Sequence, residues 1–138
     1  MSKMFNVLFI DDDEEILNLI KVFLPEMINV FIATDRKMVK RCILNEEINC
    51  IVSDIDMPDL NGLELNSVIR EVNKTFPLMI YTAYGSIDYQ RKAKDMLVNE
   101  FILKPNFDDL KDKLDQLIEM QKKQRFTPEE KKYLLKVL

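Results

Sequence analysis

Acidic, hydroxyl and basic side chains stand directly after four apolar runs of the sequence. In chain order they are Asp11-Asp12-Asp13, Asp54, Thr82 and Lys104. Carboxylates brought into one pocket repel one another and raise each other's pKa unless a cation lies among them. Magnesium suits such a pocket, because this hard ion takes a few carboxylate ligands and keeps positions for water and phosphate oxygens. These residue types therefore indicate magnesium-dependent phosphate chemistry.

The hydroxyl and ammonium groups suit the binding of a phosphoryl group. Lys104 can neutralise one phosphoryl oxygen, and Thr82 can donate a hydrogen bond to another. Such stabilisation of dispersed charge is most of what a protein contributes to phosphoryl transfer. One carboxylate can then act as the nucleophile and form an acyl phosphate. Acidic residues after strands also serve as helix caps or first-turn charges, which is how we interpret Asp13, Glu14 and Glu15.

The elements that would position these residues alternate along the chain. Apolar runs of strand length alternate with segments whose apolar residues recur at helical spacing. The predicted strands cover residues 5–10, 30–33, 48–53, 78–81 and 101–103. This alternation predicts a parallel sheet with helices on both faces, and the continuously apolar strands fit burial on both sides. Because ligands of such sheets bind at the carboxyl edge of the strands, the chemical groups should meet there.

Two helical segments carry further information. Pro25 is expected to close the first helix, and Ser86 is a suitable N-cap for the fourth. Residues 88–95 of that fourth helix are nearly all polar. This composition indicates either a helix with few core contacts, which shifts at low cost, or an ordinary solvated helix.

The C-terminal segment differs from the rest of the chain. After Gln124, Thr127-Pro128-Glu129-Glu130 has the residues of a helix start, with threonine as N-cap, proline at the first helical position and glutamate at the third. We assign residues 1–124 to the main domain and residues 125–138 to a helical extension or the start of a linker or output region. The extension could dock on the domain, form a dimer or begin a second domain.

Composition excludes several classes of function. The chain has no histidine, which removes Ser-His and Cys-His catalysis, histidine-ligated zinc and a phosphohistidine relay within the chain. The formal net charge of −4 argues against direct binding of nucleic acid. Cys42 and Cys50 are expected to be free thiols of a reducing cytosol. No signal peptide or membrane-spanning segment is found, so we expect a cytoplasmic protein without a membrane partner.

Five segments resemble the motifs of response-regulator receiver domains. They are Val7–Asp13, with the first strand and acidic pair; Ile51–Pro58, with the phosphoacceptor; Asn61–Leu65, which opens the third helix; Tyr81–Gly85, with the threonine; and Phe101–Pro105, with the switch aromatic and the lysine. The resemblance runs over roughly residues 5 to 122 in the family's order, and the segments together are specific. It implies the α/β flavodoxin-like (βα)5 fold, a doubly wound parallel sheet with strand order 2-1-3-4-5.

The resemblance also implies a role for each site residue. Asp54 would accept the phosphoryl group, and Thr82 and Lys104 would bind phosphoryl oxygens. Asp12 and Asp54 would ligate Mg²⁺ through their side chains, Asp56 through its backbone carbonyl and Asp11 mostly through water. Phe101 would be the aromatic that turns inward with Thr82, and the Lys104–Pro105 bond would be cis. The implied function is a phosphorylation switch, not a dedicated enzyme, with self-phosphorylation and autodephosphorylation as its only reactions.

The implied partners follow from the same resemblance. The phosphoryl group would come from a sensor histidine kinase, a phosphotransfer protein or a small acyl phosphate. The output domain or protein would bind the surface of the fourth helix, fifth strand and fifth helix, and the chain could form a homodimer on phosphorylation.

Two other functions stay open. Asp54-Ile55-Asp56 also resembles the D-x-D of haloacid-dehalogenase phosphatases, in which the first aspartate is the nucleophile and the second the acid/base. In those enzymes, however, this motif lies on an early strand and the acidic metal ligands come late. The third function is that of a pseudo-receiver, which binds partners without phosphorylation. Retention of every acidic, hydroxyl and lysine position argues against it.

Asp56 is among the positions that depart from the family pattern. Asp56 is acidic where many receivers have a neutral or basic residue, and its side chain should face the phosphate entrance. We expect its charge to slow self-phosphorylation by anionic small donors through Coulomb repulsion.

Overall fold

The computed structural model describes residues 5–24, 28–120 and 124–138. The helices and strands are, in chain order, β1 (Phe5–Ile10), α1 (Glu14–Phe23), β2 (Ile28–Ala33), α2 (Arg36–Asn45), β3 (Cys50–Ser53), α3 (Gly62–Val72), β4 (Leu78–Thr82), α4 (Ile87–Asp95), β5 (Glu100–Leu103), α5 (Phe107–Met120) and α6 (Pro128–Val137). The strands form one parallel sheet in the order β2-β1-β3-β4-β5. The predicted doubly wound fold and its strand order are confirmed.

The bounds of two strands differ from the prediction by two residues: β3 begins at Cys50 and not at residue 48, and β2 extends further than predicted. β2 starts at Ile28, two residues earlier than predicted, and includes Asn29. The Asn29 side-chain amide donates a hydrogen bond of 2.8 Å to Asn6 Oδ1, directly opposite on β1. A polar residue is therefore satisfied within the strand, which hydrophobicity alone does not reveal. Pro25, expected to close the first helix, lies outside the described residues.

The apolar core lies on both faces of the sheet. Val7 and Phe9 belong to a buried cluster with residues of α1 and α5, whereas Leu8 and Ile10 belong to one with residues of α2, α3 and α6. This division follows from the alternation of side chains along a strand. Every residue of the central strands β3 and β4 is buried, as the continuously apolar runs predict.

The C-terminal helix packs against α2 and α3. Its N-cap Thr127 forms a reciprocal capping box with Glu130, as predicted. Phe126, just before the helix, stacks on Phe76 with ring centroids 4.0 Å apart, and Leu134 is fully buried. Of the three arrangements left open, the structure shows docking on the domain itself. The boundary placed at residue 124 stays a prediction.

The fourth helix has few core contacts. Ala93 is its one buried residue, and Ser86 caps it as predicted. Two apolar residues at its ends are exposed: Ile87, its first residue, is 73% exposed and Leu97 is 61% exposed. Leu97 lies beyond the helix, with a φ of 58°. In this conformation it ends the helix, with the N–H of Val98 donating back to the carbonyl of Ala93.

Two further expectations can be compared with the structure. Cys42 and Cys50 are free thiols, and burial raises the pKa of both. Among the described residues, no helix combines the length and the apolar character needed to cross a bilayer.

Candidate functional site

The parallel strands bring two buried aspartates to the carboxyl edge of the sheet. Asp11 follows β1 and donates its N–H to the carbonyl of Ala33 on β2. Asp54 follows β3 and donates its N–H to the carbonyl of Ile10 on β1. Each aspartate is thus held by a ladder bond to the neighbouring strand. Both side chains are directed by further backbone bonds: Asp13 N–H donates to Asp11 Oδ1 and Ile55 N–H donates to Asp54 Oδ1.

Three carboxylates meet at this edge. One oxygen each of Asp11, Asp12 and Asp54 lies within 4.8 Å of the other two. Asp11 and Asp54 are buried, whereas Asp12 is exposed to solvent. Mg²⁺ prefers a few hard oxygen ligands from the protein and keeps several water molecules. Three carboxylates, of which that of Asp12 faces solvent, fit this preference. The residues predicted to hold the ion through side chains are therefore together.

Lys104 joins the carboxylates from the end of β5. Its Nζ donates to Asp11 Oδ2 at 2.5 Å and to Asp54 Oδ2 at 3.0 Å. Burial lowers the pKa of Lys104, but the hydrogen bonds and charges of the two aspartates raise it by more, so that the net shift is upward. For Asp11, burial raises the pKa and outweighs the opposing hydrogen bonds from Lys104 and Asp13. The ammonium supplies positive charge inside the acidic pocket. The Lys104–Pro105 bond is cis, as predicted.

Thr82 and Phe101 lie on the adjacent strands β4 and β5. Thr82 is fully buried, and its Oγ1 accepts a hydrogen bond of 3.2 Å from the N–H of Tyr84. Its carbonyl accepts from the N–H of Lys104, which ties the two strand ends together. Phe101 is half-buried and packs against a cluster that contains Ile80 and Ala93. The hydroxyl is thus engaged within its own loop, and the aromatic ring is still partly exposed to solvent.

Asp56 lies two residues beyond Asp54, in the loop between β3 and α3. It pairs with Asn61 in an isolated bridge, and it is exposed. Among the described residues, its carboxylate does not belong to the acidic cluster. This position agrees with the expectation that only its backbone carbonyl would contact a metal, which stays a prediction.

Gly62 is a site residue that the sequence analysis included only in the Asn61–Leu65 segment, which opens the third helix. A Cβ atom at this position would lie 1.9 Å from the backbone carbonyl oxygen of Asp54. The first residue of α3 can therefore sit against Asp54 only because it has no side chain. A signal was available: the chain has only 2 glycines, and this one follows the N-cap Asn61.

Asn66 was also missed, and it lies against the end of β3, the strand that Asp54 follows. Its side chain is fully buried. Its Nδ2 donates to the carbonyl of Gly62 at 2.6 Å and to Ser53 Oγ at 3.3 Å. Its Oδ1 finds no donor among the described residues, which costs stability. An asparagine at a core-facing position of an otherwise apolar helical stripe was the available signal.

A match to a protein-family model identifies the family of the chain. Residues 7–115 match the model of the response regulator receiver domain. The chain belongs to this family. Receiver domains are signalling domains of two-component systems and not dedicated enzymes. The family match and the likeness to a solved receiver domain confirm the family and the fold expected from the sequence motifs.

Similar proteins support the assignment to receiver domains. The transcriptional regulatory protein GlrR of Escherichia coli (strain K12) is 31% identical over 101 residues, which cover 72% of this chain and 23% of GlrR. This chain thus spans less than a quarter of that relative. A CheY-like receiver domain protein from Methanospirillum hungatei JF-1 has a TM-score of 0.72 at 27% identity, with coverage of 86% of this chain and 99% of that one. TrrA of Thermotoga maritima, solved in complex with Mg(2+)-BeF, has a TM-score of 0.71 at 28% identity, covering 83% of this chain and 99% of TrrA.

Proposed function

We propose that this receiver domain is a magnesium-dependent switch that accepts a phosphoryl group on Asp54. The observation that carries the proposal is the setting of the Asp54 carboxylate. One oxygen is held by the N–H of Ile55 at 2.7 Å, and the other faces Lys104 at 3.0 Å. Asp11 and Asp12 stand within 4.8 Å. A nucleophile, a metal-binding acidic pair and a cation for phosphoryl oxygens are therefore adjacent.

Each residue would contribute a separate part of the reaction. Asp11, Asp12, Asp54 and the Asp56 carbonyl would hold Mg²⁺, which when bound neutralises charge on the phosphoryl oxygens. A carboxylate oxygen of Asp54 forms the new bond to phosphorus while the bond to the donor's leaving group breaks. Lys104 Nζ donates a hydrogen bond to this carboxylate and would donate to a phosphoryl oxygen instead once the phosphoryl group is bound. Thr82 would turn its hydroxyl from its own loop to another oxygen.

The phosphoryl donor must be separate from the chain, because the chain has no histidine. A sensor histidine kinase, a phosphotransfer protein or a small acyl phosphate would serve. The movement of Thr82 would make room for Phe101 to become buried. The weakly anchored α4 would shift with it, and an output domain or protein would read the surface of α4, β5 and α5. A phosphorylation-dependent homodimer is a further expectation for this surface.

Incubation with acetyl phosphate tests the proposal directly. Intact mass spectrometry should show one phosphoryl adduct in the presence of Mg²⁺ and none when the metal is chelated. Beryllofluoride binding, measured by calorimetry with Mg²⁺, is the second probe because it needs no donor reaction. Absence of both an adduct and beryllofluoride binding would make the chain a pseudo-receiver. Repeated turnover of a phosphatase substrate would instead favour the dehalogenase-like alternative.

Asp56→Asn should speed labelling by acetyl phosphate by about 3-fold to 10-fold, because one negative charge near the entrance is removed. The gain should shrink as ionic strength rises, since exposed charges are screened by salt. The rate is measured by the growth of the adduct mass at low and high salt. Glu119→Gln, which removes a charge at the far, exposed end of α5, is the matched control. Equal rates for Asp56→Asn and wild type at low salt would refute this expectation.

Lys104→Met should separate metal binding from phosphoryl transfer. Loss of the ammonium removes a positive charge that repels a metal among Asp11 and Asp54, so Mg²⁺ should bind more tightly. Labelling should nevertheless slow by about 10²-fold, since a donor to the developing phosphoryl charge is lost. Calorimetry and the adduct rate measure the two effects, with the exposed Lys111→Met as control. Unchanged labelling would exclude Lys104 from phosphoryl binding.

A further inference from the structure

Arg36, the first residue of α2, joins two segments that are distant in the chain. Its backbone N–H donates to Asp59 Oδ2 at 3.2 Å, and its Nε and Nη2 donate to the Asp59 carbonyl at 3.2 and 2.9 Å. Its Nη1 donates to the carbonyl of Leu138 at 2.7 Å. Asp59 lies in the β3–α3 loop, and Leu138 caps the C-terminus of α6. One guanidinium therefore bridges the phosphoacceptor loop and the C-terminal helix.

Apolar side chains make the same connection. Met57 and Leu60, on either side of the Asp59 region, are buried in the cluster that also contains Leu134 and Leu138. Removal of α6 would uncover part of this cluster on α2 and α3. The loop tip is thus linked to α6 by a charged hydrogen-bond bridge through Arg36 and by a shared hydrophobic cluster.

The base of the same loop carries the proposed reaction site. The N–H of Gly62 donates to the carbonyl of Ile55 at 2.8 Å, and Asp56 pairs with Asn61. These contacts close the loop into a compact unit whose base holds Asp54 and Asp56. A displacement of the tip at residues 57–60 is therefore transmitted to the base, because the closed loop has little freedom to absorb it.

We propose that Arg36 and α6 brace the β3–α3 loop, so that docking of α6 and filling of the Asp54 site stabilise each other. The inference rests on the proposed function of Asp54. Arg36 is a positioning residue, since it acts on the site through the loop. Coupling between two sites is reciprocal. A filled site would hold α6 more firmly, and a partner that lifts α6 from α2 and α3 would weaken the site.

The coupling can be measured in the 138-residue chain with Mg²⁺ and beryllofluoride as the probe. Calorimetry gives the affinity of the site, and hydrogen exchange of the amides of residues 129–138 reports the docking of α6. In wild type, the probe should slow exchange in α6. Arg36→Ala should weaken probe binding by about 5-fold or more and should abolish the response of α6 to the probe. Arg36→Lys should resemble Arg36→Ala, because an ammonium lacks the fork that reaches both carbonyls.

Two further variants separate the brace from general effects. Arg41→Ala removes an exposed arginine from the same helix and should leave both readouts unchanged. Thr127→Ala weakens the capping box at the other end of α6, away from Arg36 and the loop, and should weaken probe binding in the same direction. This variant also decides the question if Arg36→Ala does not fold.

The outcomes that overturn the proposal are distinct. If Arg36→Ala or Thr127→Ala loosens α6 while the probe binds as in wild type, the contacts are structural only and no coupling exists. If the probe binds wild type without slowing exchange in α6, the coupling is likewise absent. If wild type does not bind the probe at all, the proposed function of Asp54 has failed, and the brace fails with it.

Discussion

Asp54→Asn is expected to eliminate the phosphoryl adduct while the fold is retained. Asparagine has the shape of aspartate, and its carbonyl oxygen can still accept the hydrogen bond from the N–H of Ile55. The amide is not a nucleophile towards phosphorus, and the group facing Lys104 changes from an acceptor to a donor. Lys104 keeps its bond to Asp11, so the pocket should not collapse. Intact mass after incubation with acetyl phosphate and Mg²⁺ measures the loss.

Three further measurements test whether Asp54 has the proposed role: thermal stability, stabilisation by Mg²⁺ and the labelling of a control variant. Thermal unfolding without metal should be close to that of wild type, because relief of repulsion within the acidic cluster offsets the lost contact of Asp54 with Lys104. Mg²⁺ should stabilise the variant less than wild type, because one of the three clustered carboxylates is missing. Asp56→Asn is the matched control, since it removes an aspartate from the same loop and should still be labelled. An adduct of equal yield on Asp54→Asn would place the phosphoacceptor elsewhere and contradict the proposed function.

Gly62→Ala is expected to lower both the unfolding free energy and the labelling of Asp54, and to do so more than alanine at the other glycine, Gly85. Its Cβ would lie 1.9 Å from the carbonyl oxygen of Asp54, a backbone atom held in the sheet edge. Either α3 or the Asp54 peptide must move, and we expect a loss of about 1–3 kcal/mol of unfolding free energy. Labelling of Asp54 should fall as well, since the displaced peptide carries the proposed nucleophile. Urea denaturation and the adduct rate test both parts.

The second glycine provides the matched control. A Cβ on Gly85 would meet Leu103 Cδ2 at 2.5 Å, but Leu103 is 45% exposed and its side chain can turn away. Gly85→Ala should therefore change the unfolding free energy by less than about 0.5 kcal/mol. Alanine also favours helix over glycine by about 1 kcal/mol, so destabilisation by Gly62→Ala would oppose the local preference. Equal stability of the two variants would show that the close approach of α3 to Asp54 carries no constraint.

Local patterns were sufficient to predict most of the helices and strands and the charged residues of the site. Continuous apolar runs predicted all strands of the sheet. A strand that is buried on both faces has apolar residues at successive positions, and such a run is easy to recognise in the sequence. Ser86 and Thr127 were recognised as helix caps, because capping is a bond between near neighbours in the chain. The convergence of Asp11, Asp12, Asp54 and Lys104 was also predictable, since all parallel strands end at one edge. Asn29, inside β2, was placed outside its strand because its partner Asn6 lies on another strand.

The remaining features depend on contacts between distant residues, which no local pattern contains. The order of amino acids was enough to indicate the alternating elements, the receiver-like motifs and the chemical types at the strand ends. Tertiary structure alone decided that Lys104 bridges Asp11 and Asp54, that Gly62 must be small and that α6 docks on α2 and α3. Arg36 gave no signal, because its partners Asp59 and Leu138 stand 23 and 102 positions away. Packing and long-range hydrogen bonds are properties of pairs brought together by folding, whereas periodicity and capping are properties of the chain itself.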